Sequence, residues 1–329
     1  MSDSRPARSG ILRALGFGAA AGSTSPAPGD LGLRRPAAGV PHVRARMSWP
    51  ASRSIRGRRP TGVRRDIALI ARTVVGRESV IVCTIDEDAA ADARAHGGPG
   101  VPVVVEIPTD DLRMRRGRAV FRTDGAGRTA AVGLDVDGLG RAGFVGEGGA
   151  VETDGGGAVM DTESSLAGRN RDRAMSTMIR VPGIKGRDIT DDRIDRTSRC
   201  VRPRVVTARV PPGGRRDARA RDARGRLAIL ATATATATDA KRRRLRVVTS
   251  KGPKDTRSTN CDPVDSCLNL HPVGGGVVTA RFRDRRTDAA ARSALAGAFP
   301  GRVLVRLDVD RPTGVGGGMH CSTMRQPPA

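Results

Sequence analysis

"AILATATATATDAKRRRLRVV", residues 228–248, decides how the rest of the chain is read. Four Ala-Thr pairs run unbroken from Ala231 to Thr238, and four cations follow from Lys241 to Arg244. As a strand, the run would place Ala231, Ala233, Ala235 and Ala237 on one face and four threonines on the other, because strand side chains alternate. The alanine face would bury little area, and identical pairs leave the register open to a two-residue slip. The stretch therefore reads as low-complexity sequence, with an edge strand as the alternative. The tetrad Lys241, Arg242, Arg243 and Arg244 reads as a solvated charge run, or alternatively as a patch for RNA, DNA or another polyanion.

Working outward, the composition supports the same reading. Leu, Ile, Val and Phe make only 66 of the 329 residues, at the border below which a highly charged chain tends to stay disordered. There is no Tyr and a single Trp, Trp49, so the strongest packing units are scarce. Gly and Pro contribute 63 residues and raise the entropy that folding must overcome. The net charge is +24, and 54 of the 58 basic residues are Arg. Arg, Ala, Gly and Val are abundant where Lys, Asn, Tyr and Phe are rare, as a GC-rich coding sequence would produce. Residues 84–163 carry a net charge of −7, so the flanks are more basic than the whole and suit non-specific polyanion binding by counterion release.

Organisation is legible in patches. Residues 1–65 read as a basic disordered arm, rich in Pro, Gly and Arg. "IALIARTVVG" (67–76) fits a short helix or strand. "SVIVCTI" (79–85) reads as a buried strand, "DEDAAADARAH" (86–96) as a helix with an acidic first turn, "GGPG" (97–100) as its stop and "VPVVVEI" (101–107) as a second strand. "RAVFRT" (118–123) and "TAAVGLDVDG" (129–138) read as strands joined at the turn "DGAG". Residues 141–286 read as Gly/Arg-rich loops and low complexity, although "RRDARARDARGR" (215–226) has helical character. A last helix–strand unit is expected at 287–310, capped by Thr287 or Asp288, and 311–329 read as a tail. The expected fold class is thus a mostly disordered, Arg/Gly/Ala-rich chain. At most it holds a small α/β island near 67–140 and the short unit at 287–310.

Few motifs carry chemistry. "GLGRAG" places Gly138, Gly140 and Gly143 in a GxGxxG pattern, but no helix follows it, and glycines this abundant produce the match by chance. Asp86, Glu87 and Asp88 could bind a cation at a sheet edge, but the acidic first turn of a helix is the preferred reading. "CDPVDSCLNLH" supplies Cys261, Cys267 and His271, ligand types that suit tetrahedral zinc. This C-x5-C-x3-H run resembles the last three ligands of CCCH-type zinc fingers, which bind single-stranded RNA. The upstream cysteine and the base-stacking aromatics are missing, and His320, Cys321 or Cys200 would have to complete the site. "MIRVPGIKGRDITDD" (178–192) resembles the first strand and turn of type VI secretion tube proteins, and nothing after it continues that pattern.

Five cysteines, an odd number, argue against a disulfide framework and for a reducing intracellular compartment. No apolar run is long enough to span a membrane. The four histidines show no spacing to a nucleophile and carboxylate, so no catalytic residue or cofactor is assigned beyond the zinc site. The leading expectation is a basic, non-enzymatic chain without assignable activity, as an unselected or overlapping reading frame would give. The alternatives are a non-specific RNA- or DNA-binding protein with a zinc site, and an enzyme of unknown chemistry built on residues 67–140.

Overall fold

The computed structural model describes residues 35–50, 60–105, 111–115, 120–124, 128–132, 148–155, 159–166, 179–186, 192–211, 213–214, 216–236, 244–252, 266–309 and 311–328. Strand β1 (Arg44–Ser48) is followed by helix α1 (Pro60–Val75), strand β2 (Ser79–Cys83), helix α2 (Glu87–Gly97) and the short strand β3 (Val103–Val104). Strands β1, β2 and β3 are parallel neighbours. The hairpin β4 (Val120–Thr123) and β5 (Thr129–Val132) comes next. Then β6 (Glu152–Thr153) and β7 (Val159–Thr162) pair antiparallel, helix α3 (Glu163–Leu166) follows, and β8 (Ile179–Val181) lies parallel to β7.

After a one-turn helix α4 (Ile194–Thr197), the pattern recurs at greater length. Strands β9 (Ser198–Arg202) and β10 (Val205–Val210) are antiparallel, helix α5 (Ala218–Thr236) crosses over, and β11 (Arg246–Lys251) returns parallel to β10. It recurs again as β12 (His271–Val273), β13 (Gly276–Ala280), helix α6 (Arg285–Ala298) and β14 (Val303–Leu307). The last strand, β15 (Thr323–Gln326), pairs antiparallel with β1. Thus β15, β1, α1 and β2 form the same module, with its first two strands drawn from opposite ends of the chain. The repeating unit is a strand pair, a helix and a strand parallel to the second, since parallel neighbours require a crossover. The β15–β1 pairing ties the last module to the first.

Local chemistry explains these elements. Helix α1 begins with Pro60 at its first position, where the missing N–H costs nothing. It buries Val63, Ile67, Ile70, Ala71 and Val74, one stripe at helical spacing. Asp86 caps α2 by accepting from Ala89 N at 2.8 Å, and Asp284 caps α6 by accepting from Thr287 N at 3.2 Å. The cap therefore falls a few residues ahead of the expected Thr287 or Asp288.

The stretch 228–248 is neither low complexity nor an edge strand in its first half. Ala231 through Thr236 are the last turns of α5. Ala is the strongest helix former, and Thr232 satisfies its hydroxyl by donating to Ala228 O at 3.0 Å. The buried positions Ala220, Ala223, Arg226, Leu230 and Ala233 lie on one face of the helix. A period of two in the sequence concealed a period near 3.6 in the burial.

The expected mostly disordered fold is likewise corrected, and residues 67–140 are no isolated island. Strands lie inside the stretches read as basic arm, loop and tail: β1, β6 through β13, and β15. Aromatic scarcity misled because short strands and Ala-rich helices can be filled by Val, Ile, Ala and Met. One continuous apolar core runs from Ala45, Met47 and Trp49 through α1 to Val277, Phe282, Leu295 and Phe299. Arginine also misled as a mark of solvent. Arg46, Arg193 and Arg199 are among the largest fully buried side chains. Arg199 Nε lies 2.9 Å from Glu152 Oε1, and Arg196 and Arg226 both meet Asp192 at 3.3 Å. Buried charges survive when they are paired in this way.

Candidate active site

The module repeat brings together residues that lie just ahead of each module's first strand. Arg115 precedes β4, Gly148 and Gly149 precede β6, Arg193 and Asp195 precede β9, Asn269 precedes β12, and His320 and Cys321 precede β15. These five loops touch. Cys321 Sγ donates to Asp195 Oδ2 at 3.3 Å, and Asn269 Nδ2 reaches both Cys321 Sγ, at 3.5 Å, and Asp195 Oδ2, at 3.4 Å. His320 Nδ1 donates to the same Asp195 oxygen at 2.9 Å. Arg193 Nη2 donates to Cys321 Sγ at 3.5 Å, while its Nε lies 3.8 Å from Asp195 Oδ1.

Backbone groups fix the arrangement. Asn269 Oδ1 accepts from His320 N at 2.8 Å, Arg115 Nε donates to His320 O at 2.8 Å, and Gly148 N donates to Arg115 O at 3.0 Å. Two glycines are required by close approach. A Cβ on Gly149 would stand 2.9 Å from Asp195 Oδ2, and one on Gly318 would collide with Asn269 Oδ1.

All of these polar side chains are buried, and burial dominates their protonation. It pushes the Cys321 thiol up to about 12, with the Asp195 charge adding to the rise and Arg193 opposing it. It raises the Asp195 carboxyl, against the pull of Arg193 and Arg199. It holds His320 well below the usual imidazole range, helped by Arg115 and Arg199. The resting centre is therefore a thiol, a carboxyl of increased basicity and a neutral imidazole. Such a centre can pass the thiol proton to Asp195 when a cation arrives to stabilise the sulfur anion. His320 and Arg115 orient the centre, and Asn269 can hydrogen-bond whatever charge develops on a ligand.

The residues singled out in the sequence are distributed differently. Cys267 is buried just ahead of β12, with Thr279 Oγ1 donating to its carbonyl at 2.6 Å. His271 opens β12 and faces Glu78, Nε2 to Oε1 at 3.4 Å. Cys261, Lys241, Arg242, Arg243 and the glycines of GLGRAG lie outside the described residues. Arg244 is exposed, and its carbonyl accepts from Arg204 Nε at 3.2 Å. Asp86 and Glu87 serve as the cap and first turn of α2. Of the reserve zinc ligands, His320 and Cys321 come together at the centre. Cys200, on β9, has its amide bound to Glu152 Oε2 at 3.2 Å. Sequence reasoning missed Asp195, Arg193, Asn269 and Gly149. The only local signal was the run Gly316–Gly317–Gly318 leading into Met319, His320 and Cys321, which marks a backbone packed against other groups.

A ring-closed series of strand–strand–helix–strand modules, with a thiol and a carboxylate buried where their loops meet, defines a modular α/β protein organised around a cysteine centre. The chain belongs to the Porphyromonas-type peptidyl-arginine deiminase family, which matches residues 117–327. It is 30% identical over 363 residues to a Streptomyces avermitilis protein provisionally named agmatine deiminase, covering 91% of this chain and 99% of that one. It is 26% identical over 354 residues to the agmatine deiminase of Ectopseudomonas mendocina, covering 90% and 96%. Its fold superposes on the agmatine deiminase of Enterococcus faecalis with a TM-score of 0.81 at 18% identity, over 93% of this chain and 99% of that one. These findings overturn the expectation of a chain without assignable activity from an unselected frame. They equally overturn the expectation of an enzyme confined to residues 67–140, because the centre draws on loops as far apart as Arg115 and Cys321.

Proposed function

We propose that the chain is a cysteine-dependent guanidine hydrolase, acting on a small agmatine-type substrate at Cys321 and Asp195. One observation carries this reading. The protein's own Arg193 guanidinium is held against both the thiol of Cys321 and the carboxylate of Asp195. The centre is thus built to hold a guanidinium cation within reach of a nucleophile, and proximity of this kind supplies much of a catalytic effect. The names of the relatives, agmatine deiminases of similar length, select the substrate class.

The chemistry follows from the groups present. A substrate guanidinium paired with Asp195 lowers the cost of forming the Cys321 anion, whose proton passes to Asp195 Oδ2. The sulfur then attacks the guanidinium carbon, Asp195 returns the proton to a departing nitrogen, and ammonia leaves. Water, deprotonated by the same carboxylate, attacks the resulting thiouronium carbon and expels the thiol, so that the guanidine becomes a urea. His320 keeps Asp195 oriented throughout. Arg193 must swing away, because it occupies the contacts that the substrate needs. Arg also cannot act as a proton acceptor, so its contribution in the resting state is to hold the site closed.

The test is ammonia release from agmatine by the purified chain, with Cys321→Ser as its partner. Ammonia formed by the parent protein and lost in the Ser variant supports the reading. Ammonia at the same rate from the Ser variant, or none from agmatine with the parent protein, overturns it.

A further inference from the structure

A second cluster lies away from the thiol centre, where the first and last complete modules meet. His42 stands just ahead of β1, Glu78 just ahead of β2 and His271 at the start of β12. Each offers one ligand atom, and these atoms all lie within 4.8 Å of one another. His42 Nε2 is 2.8 Å from Glu78, His271 Nε2 is 3.4 Å from it, and the two rings are 5.8 Å apart. The side chains are almost wholly buried, at 4%, 5% and 0% exposure.

We propose that His42, Glu78 and His271 form a site for a divalent cation of the zinc class, which pins the β1–β2 edge to the β12–β13 hairpin. Two imidazoles and one carboxylate are a ligand set that suits tetrahedral zinc and leaves one position for water. Three features support the site beyond mere proximity. First, His271 is fully buried, its Nε2 has the single long contact with Glu78 at 3.4 Å, and its Nδ1 has no hydrogen-bond partner among the described residues. A buried imidazole with one long contact and one unpartnered nitrogen is costly, and an ion is one of its ordinary explanations. Second, the outer contacts that orient metal ligands are in place. His42 Nδ1 faces Val40 O at 3.3 Å, and Gly274 N donates to Glu78 Oε2 at 3.0 Å; partners of this kind fix tautomer and geometry. Third, the cluster adjoins open space, because His42 lines a cleft shared with Arg35, Phe121, Arg325 and Pro327.

The protonation states agree. Burial holds His271 down at about 4, so its lone pair is free at neutral pH. Burial alone would raise Glu78, but the two imidazoles outweigh it and hold the carboxylate at about 2. His42 and, more weakly, Arg325 also hold His271 down, and Arg325 is itself lowered by burial to about 9. The cluster is distinct from the Cys261, Cys267 and His271 set and shares only His271 with it.

The experiment uses the full chain, stripped with a chelator, re-exposed to zinc or cobalt and passed through a desalting column. About one equivalent of metal should remain by elemental analysis. The cobalt form should show visible d–d bands without a thiolate charge-transfer band, and Cys261→Ser and Cys321→Ser should leave both results unchanged. Glu78→Gln and His42→Asn, confirmed as folded in chelator by Trp49 emission, should lose the metal. Parent protein that retains no metal, a thiolate band in the cobalt form, or metal kept by both folded variants each overturns the proposal.

Discussion

Arg193→Gln is the substitution that most directly interrogates the thiol centre. The Arg193 guanidinium lies 3.8 Å from Asp195 Oδ1, where the attraction of two unit charges at an effective dielectric of about 20 is roughly 4 kcal/mol. Desolvation cancels part of such a buried attraction. If about 1.5–3 kcal/mol remains, a ligand cation that must displace Arg193 binds roughly 10- to 100-fold more weakly than it would to the bare carboxylate. Gln keeps hydrogen-bonding capacity but removes the charge, so the carboxylate is left for the ligand. The assay is inhibition by the guanidinium ion, alongside the KM for agmatine by ammonia release. Both constants should fall in the variant by at least about tenfold. Arg193 also restrains the rise of the Asp195 carboxyl. Its loss therefore makes guanidinium binding more pH-dependent, stronger as pH rises and the carboxylate ionises. The control is native Trp49 emission, which reports that the variant is folded. Inhibition constants that stay the same or rise in a folded variant would refute the internal-cation argument, and with it the view that Arg193 occupies the substrate's place.

Other outcomes follow from the same structure. The lone indole, Trp49, is buried and donates from Nε1 to Asp92 Oδ2 at 2.9 Å. Its emission should be that of a shielded indole and shift in one cooperative step on denaturation, and Trp49→Ala should cost about 3–5 kcal/mol by that same transition. A solvent-like spectrum in buffer would contradict the core. Ala231→Pro, inside α5, should remove about 3 kcal/mol and reduce helical circular dichroism, whereas an unstructured Ala-Thr run would tolerate it silently. With chelator present, His271 sets an acid limit. Its folded value of about 4 lies below the ordinary 6.5, so the unfolded state binds the extra proton. Stability is then complete above about pH 6.5 and declines as pH falls toward 4. Thermal midpoints recorded across that window should show the decline, and His271→Gln should flatten it.

How much of this was legible beforehand depends on whether the deciding contact is local. The strand, helix and Gly stop at 79–100 are spelled out residue by residue, because an acidic first turn, an N-cap and a following glycine act within a few positions. The pairing of β4 with β5 is local for the same reason, since the sequence between them, "DGAG", is itself a turn signal. The Ala-Thr run was misread because the sequence carries a period of two while the buried face of α5 follows a period near 3.6. Only the neighbouring sheet, through Ala220, Ala223, Leu230 and Ala233, selects that face. Composition misled about order, because arginines were counted as solvent-seeking when Arg199 and Arg193 are interior groups matched to Glu152 and Asp195.

The thiol centre was invisible for a more basic reason. Cys321 meets Asp195 across 126 positions and Asn269 across 52, and no spacing rule reaches that far. What brings them together is the module repeat, in which each first strand is approached by a loop at the same end. The β15–β1 pairing places Cys321 at that end as well. The His42–Glu78–His271 cluster makes the same argument independently. A local search groups His271 with Cys261 and Cys267 within one short run, whereas the fold groups it with residues from the opposite end of the chain. Ligand chemistry was readable in the residue types, and only ring closure could say which of them meet. A substitution that breaks the β15–β1 pairing, such as Met324→Pro, should therefore disable both centres together, since Cys321 lies just ahead of β15 and His42 just ahead of β1. Loss of ammonia release with metal binding fully retained would show that the two sites do not depend on one shared closure.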